Sequence, residues 1–502
     1  MSEKSYFSRI KEQFFDIKKE EWPRALALSF FFFLVIAVFW VLKPIKKGAL
    51  ISFYKEDPLM LLGLQFGGAE VEQLAKVVNM VVVFAIVVLF TILIRKFKRQ
   101  QVVYIFCGLI SVCLVYFGFV MVSPGAFDAW SFYVFGDIFN SIMVATFWAF
   151  ANDVNSPKES KRLYGIIGLG GVVGGFFGAT FVTALVDVEG ARELMSSSFS
   201  ELNIAEKIQS GFIEIVFPIY EQILVFSGWL NQQFGFTGLQ DQALGRQGLL
   251  LLCIVAMATI AILAWFINSR ALDGNEIEQE EKEKEGNEKS VNAALEGAKL
   301  VFNSKYLLAI LGIIGFYEII SNIIEFQLSA SVETSSMQGT EIDSFFGVYG
   351  LLIGLVSISV QLFATPYVMN KKSVGMALII LPIIDFALSI GFLAVPILWV
   401  AAALSISDNS LYYSITQSAK ESLYTPTSRD AKYKAKAFID MFGQRSAKVI
   451  AVVLNLVVAA YVGIENVRWL SIATLMVIAG YFLVVRYAGK EFKKRADEDG
   501  EE

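Results

Sequence analysis

The chain reads as an all-α integral membrane protein of twelve transmembrane helices in two six-helix halves, and three observations carry that reading. Of its 502 residues, 56% are hydrophobic and 18% charged, with a mean hydropathy of +0.59, far more apolar than a soluble globular chain. Apolar runs of roughly membrane-spanning length recur along it, six before and six after one polar gap. The short connections between runs alternate between those rich in Lys and Arg and those without either.

Residues 1–23 form a charged, amphipathic N-terminal segment. The apolar run that follows is too long for the core of a cleavable signal peptide. The first half, 24–268, holds runs near 24–46, 75–94, 101–122, 130–152, 163–187 and 247–268. Its fifth and sixth runs are separated by an insert, 188–246, with an amphipathic stretch at Gly211–Leu230. That stretch is read as helix lying on the outer face, with a thirteenth span over Phe212–Leu230 as the alternative. Residues 269–290 are rich in Glu and Lys and lack apolar periodicity, which predicts a disordered acidic linker. The second half, 291–486, holds runs near 305–329, 346–368, 373–394, 396–416, 443–463 and 467–486, and a tail of 487–502 follows.

Basic residues set the orientation. Arg95, Lys96, Lys98 and Arg99 connect the second and third runs, Lys158, Lys161 and Arg162 the fourth and fifth, and Lys371 and Lys372 the eighth and ninth. Ser123–Trp130 and Val332–Ser344, on the alternate side, contain acids but no Lys or Arg. The positive-inside rule then places both termini and the linker in the cytoplasm and the insert outside. Two six-helix halves joined by a cytoplasmic linker is the layout of major-facilitator-type carriers.

The chain has no histidine, which excludes His-based triads, HExxH zinc sites and His proton relays. Cys107, Cys113 and Cys253 lie in apolar runs without metal spacing and read as packing residues. Chemistry must therefore come from Lys, Arg, Asp, Glu and backbone.

The first run ends Leu42-Lys43-Pro44-Ile45-Lys46-Lys47 and continues apolar through Ile51. Lys43, Lys46 and Lys47 share a helix face at or near membrane depth, where a cation costs about 2.5 kcal/mol or more and normally faces a cavity. An anionic ligand fits such a face; lysines snorkelling to the interface are the other reading. Asp137 is an acid inside the fourth run and needs a partner, with a lysine of the first run the obvious one or a purely structural ion pair the alternative. The fifth run reads GIIGLGGVVGGFFG from Gly165 to Gly178. It has neither the Lys-Ser/Thr of a phosphate loop nor a preceding strand, so its small residues predict close helix packing or a bend. Glu318 and Glu325 lie in the seventh run, and the pseudo-twofold of such folds predicts that Glu325 faces the Lys46 cluster. Residues 408–421 are too polar for a lipid-facing span; Lys420 and Glu421 abut the tenth run, and Lys436 lies in the basic segment that follows.

These pieces resemble the non-mitochondrial ATP/ADP translocases, nucleotide transporters of plastids and intracellular bacteria. Leu42–Lys47 stands where that family has Leu-Arg-Asp-x-Lys-Asp, with Lys46 on its substrate lysine. The segment FYVFGDIFNSIMVATFWAFANDVNSPKESKRLYGIIG is similar to the family's fourth helix, with Asp137 in place of a functional glutamate. SKYLLAILGIIGFYEIISNIIEFQ places Glu325 on a family acid, and AKESLYTP and KYKAKAFID place Lys420, Glu421 and Lys436. Departures are Lys43 for arginine, Pro44 for aspartate, Ser329 for lysine, and Tyr412 and Gln417 for a lysine and an aspartate.

The resemblance implies a carrier, not an enzyme, that exchanges nucleotides in ATP/ADP-type antiport, or a similar phosphorylated anion, by alternating access. Its substrate-binding residues would be Lys43, Lys46, Lys47, Asp137, Glu325, Lys420, Glu421 and Lys436, the lysines holding phosphate and the acids neutralising the site. It implies a monomer in the inner (cytoplasmic) membrane, with no cofactor, metal or nucleic-acid partner. A proton-coupled carrier of another organic anion is the second expectation, with Asp137 or Glu325 carrying the proton. A membrane sensor or scaffold that transports nothing is the third.

Overall fold

The computed structural model describes residues 18–185, 241–270, 290–368, 374–427 and 435–499, apart from positions 19, 62, 122, 156, 366 and 425. Most of the N-terminal segment and of the insert, including 211–230 with its thirteenth-span alternative, lies outside those residues. So do most of the acidic linker, the end of the tail, Lys371 and Lys372.

The first six predicted spans are α1 Trp22–Glu56, α2 Gly68–Lys96, α3 Arg99–Val120, α4 Ala126–Val154, α5 Pro157–Leu185 and α6 Asp241–Arg270. A short helix, α7 Ser290–Asn303, leads into α8 Lys305–Glu333, α9 Thr340–Ser359 and α10 Val374–Ala394. The tenth span is α11 Leu398–Leu411, a π turn over Tyr412–Thr416, then α12 Gln417–Ser422. The eleventh is α13 Lys436–Phe438, a π turn at Ile439–Gly443, and α14 Gln444–Val462; α15 Leu470–Asp499 is the twelfth, and a further π turn, Val360–Ala364, follows α9. Nine of the described helices are long and apolar enough to cross a membrane by length and composition, and the remaining predicted spans are helical as well. A hairpin absent from the sequence reading, β1 Leu59–Leu61 with β2 Leu64–Phe66, turns at Gly63, whose φ of 79° favours glycine.

α1 is 35 residues long and includes Pro44, one turn beyond Trp40. At about 1.5 Å per residue it spans roughly 50 Å, well beyond a hydrocarbon core of about 30 Å. It therefore carries the lysines onward without ending at them. Proline removes one backbone hydrogen bond, which membrane helices tolerate where neighbours re-satisfy the freed carbonyl.

The chain forms two compact units. The first comprises Met1–Phe53, Val78–Ile277 and Gln338–Leu351; the second comprises Tyr54–Val77, Glu278–Met337 and Leu352–Glu502.

In the first unit, α5 crosses α1 through its glycines. A Cβ on Gly170, Gly174 or Gly178 would lie 2.2–2.3 Å from the carbonyl oxygen of Ser29, Phe33 or Ala37 respectively. Both sets recur every four residues, so one ridge of each helix meets backbone to backbone. Between membrane helices apolar surface gives little drive, and close packing of small residues supplies it. Ser29 Oγ adds a hydrogen bond to Ile166 O at 2.9 Å. The packing reading of the glycine run is therefore the one that the structure shows. Phe31, Phe132, Phe139, Phe147 and Phe150 fill the core beside this crossing. Arg24 ties the start of α1 to Glu159 and to Val154 O, and Arg246 on α6 pairs with the buried Asp343 of α9. Asp343 belongs to a stretch read as loop; it is fully buried, and Gly48 leaves room for its carboxylate.

In the second unit, α8 packs against α11, α14 and α15. Gln327 donates to Val467 O and Ser471 Oγ, each at 3.0 Å, and satisfies a polar side chain deep in the bundle. The hairpin region joins this unit through Lys55, whose ammonium donates to Ser335 O and Met337 O at 2.7 and 2.8 Å just beyond α8. Those carbonyls lie past the helix C-terminus, where a cation complements the dipole.

Candidate functional site

Within the first unit, Lys46 of α1 reaches α4. Its ammonium contacts Asp137 Oδ1 and lies 4.4 Å from the centre of the Tyr133 ring. Tyr133, Gly136 and Asp137 are spaced i, i+3, i+4 and so share one face of α4. Gly136 leaves room for the lysine stem: a Cβ would sit 2.7 Å from Lys46 Cδ. The second oxygen of Asp137 accepts from Asn79 Nδ2 of α2 at 2.8 Å. Lys46 is 5% exposed, so the pair holds a largely desolvated cation by a carboxylate and an aromatic face. Lys43 lies 4.7 Å from the Trp40 ring centre, and Lys47, also buried, lies 4.9 Å from that of Phe346 on α9.

Within the second unit, Glu325 of α8 accepts from Lys76 of α2, Nζ to Oε2 2.7 Å. Lys76 also has Glu72 Oε1 at 3.8 Å, and Glu72 is anchored by Ser329 Oγ at 2.6 Å. Gln73, on the next residue of α2, accepts from Asn455 at 3.3 Å. Lys76 was missed by the sequence reading because it lies at the very edge of an apolar run, where a lysine reads as an interfacial charge. The spacing Glu72, Lys76, Asn79 along one side of a membrane helix was the signal that could have found it.

The second unit also brings together Lys420, Glu421 and Lys436. Lys436 contacts Glu421 Oε2, while Gln417 donates to Glu421 Oε1 at 3.4 Å. Lys420 is buried and donates to Tyr412 OH at 3.4 Å. The π turn at Tyr412–Thr416 lies immediately before these residues; such insertions alter the register of the side chains that follow and recur at functional sites. Glu318 contacts Gln444 and lies 3.9 Å from Lys448 Nζ. Asp408, fully buried on α11, accepts from Ser321 Oγ at 2.6 Å. Among the described residues no group of His, Cys, Asp and Glu could hold a metal ion.

Membrane-crossing helices with lysines paired to carboxylates within their length fit a polytopic membrane carrier. The fold agrees. A bacterial homologue of the lysosomal transporter Spinster superposes with a TM-score of 0.55 at 13% identity, covering 95% of this chain and 99% of that one. The nucleoside transporter NupG gives a TM-score of 0.55 at 12% identity, covering 93% and 99%. The fold is thus major-facilitator-like. The model of the TLC ATP/ADP transporter family matches residues 124–244 and 222–408, more than half of the chain, and the chain belongs to that family. It is a transporter. Among its relatives are ADP,ATP carrier protein 3 of Rickettsia bellii, 22% identical over 89% of this chain and 89% of the relative. Another is the chloroplastic ADP,ATP carrier protein 1 of Arabidopsis thaliana, 23% identical over 62% of this chain and 46% of the relative.

Proposed function

We propose that this carrier exchanges nucleotides across a membrane in ATP/ADP-type antiport by alternating access, its lysines holding the phosphates. The observation that carries the reading is Lys46 paired with Asp137, a buried cation with an exchangeable anionic partner. An incoming phosphate replaces the carboxylate as counter-charge, and the ammonium suits it as a compact point charge. Lys43, Lys47, Lys420 and Lys436 supply further positive charge. Asp137, Glu325 and Glu421 are the standing counter-charges. Reorienting a lysine without any partner would be costly, which makes obligatory exchange the natural cycle. The substrate class of the named relatives supports this reading.

The carrier works as a monomer in the inner membrane, with both termini and the acidic linker 269–290 in the cytoplasm. The halves are 24–268 and 291–486. Uptake of labelled ADP into proteoliposomes preloaded with ATP, ADP or no nucleotide tests it: uptake requires internal nucleotide. Uptake of no nucleotide under any loading would reject the reading.

A further inference from the structure

Tyr317 on α8 and Tyr412 in the π turn stack face to face, ring centres 3.9 Å apart and planes within 3°. Tyr317 is 6% exposed, whereas Tyr412 is only partly buried, and Tyr413 meets Tyr412 edge-on at 5.7 Å. Lys420 Nζ lies 3.4 Å from the Tyr412 hydroxyl but 5.6 Å from the ring centre, so the ammonium stands toward the rim of the ring and does not cap its face. The result is a rigid aromatic platform, backed by a second ring, with a buried cation at its edge.

We propose that Tyr412, backed by Tyr317, is the platform on which the nucleobase of the substrate stacks, with Lys420 placed for its phosphates. The proposal rests on the nucleotide reading above and adds where the base sits. Every base has a π face, and stacking on an aromatic ring is a sequence-tolerant source of binding energy. The π turn begins at Tyr412 and adds one residue to the register of the side chains that follow it, Lys420 on α12 among them. A lysine at the platform edge matches a ligand that is planar at one end and anionic at the other. If the stack were helix packing alone, changing Tyr412 would alter stability without distinguishing ligands that have a base from those that lack one.

The test is competition against labelled ADP in the exchange assay, using full-length protein. Tyr412→Leu should raise the half-saturating concentration of ADP about tenfold, as expected for a lost stack. It should leave inhibition by tripolyphosphate, which has no base, unchanged, and Tyr412→Phe, which keeps the ring, should keep the wild-type ratio of ADP to tripolyphosphate affinity. Equal weakening of ADP and tripolyphosphate, or no change in either, would overturn the proposal. A measurement on wild-type protein does not depend on any variant folding: ribose 5-triphosphate should compete about tenfold less well than ATP. Equal competition overturns the base platform while leaving phosphate-driven exchange intact. Absence of nucleotide exchange by wild type would overturn both readings.

Discussion

Lys76 on α2 and Glu325 on α8 form an ion pair at 2.7 Å, with Glu72 at 3.8 Å from the same ammonium. One cation therefore serves two carboxylates in a bundle that a membrane surrounds. α2 thus supplies a partner to each of two acids singled out by sequence, Lys76 to Glu325 and, one turn on, Asn79 to Asp137. Removing one partner of a buried pair costs about 3–5 kcal/mol. Because the Glu325 side chain is 34% exposed, a smaller loss of about 1–3 kcal/mol is expected for Lys76→Gln. Glu325→Gln added to it should restore part of that loss. Thermal unfolding of the single and double variants in detergent measures the cycle. Strictly additive losses would mean that the pair does not act as a unit.

The α1–α5 crossing predicts a sharp contrast between two glycines of one helix. A methyl on Gly174 would meet the Phe33 carbonyl at 2.3 Å, while one on Gly168 meets nothing within 4 Å. Gly174→Ala should therefore cost about 2 kcal/mol through forced backbone separation, and Gly168→Ala little. Comparable melting temperatures for the two variants would show that the glycine run does not set the approach of the helices.

The close packing of the glycine run was legible in sequence, beside a bend as the alternative, because small residues every four positions let membrane helices approach; which helix it meets was not. The order of spans and the odd acid at Asp137 were legible for similar reasons: length and charge cost are local properties. Lys76 was not. The partner of a membrane charge depends on which helix faces it and in what register, and apolar periodicity is silent on both. Nor were the π turns legible, since a run such as Tyr412–Thr416 looks helical under any periodicity. Asp343 looked like a loop acid because Arg246, which holds it, lies almost a hundred positions away in the sequence.

Lys46 separates a substrate contact from a snorkelling charge. Lys46→Gln should lose about 2–4 kcal/mol of anion binding if the contact is desolvated, as truncated buried charge pairs do. Lys98→Gln, in the α2–α3 connection, should change transport little. Half-saturating nucleotide concentrations in the exchange assay decide this. Transport by Lys46→Gln that matches wild type would remove the residue from the site.

The orientation of the spans is testable by cysteine labelling of intact cells. An impermeant thiol reagent should label Asp128→Cys and leave Phe97→Cys and Lys371→Cys unlabelled, in a background without the native cysteines. The inverse pattern would turn the protein over in the membrane and place the linker 269–290 outside.

If the carrier exchanges nucleotides as proposed, Asp137 and Glu325 are standing counter-charges to lysines and do not ferry protons through the cycle. Each has a lysine at ion-pair distance, Lys46 and Lys76 respectively. The measurement is uptake of labelled nucleotide into proteoliposomes loaded either with unlabelled nucleotide or with buffer alone, each with and without an acid step outside. Uptake is predicted only where internal nucleotide is present, at a rate the pH step does not change. Uptake into buffer-loaded vesicles driven by external acid would rule out standing counter-charges and make the chain a proton-coupled carrier.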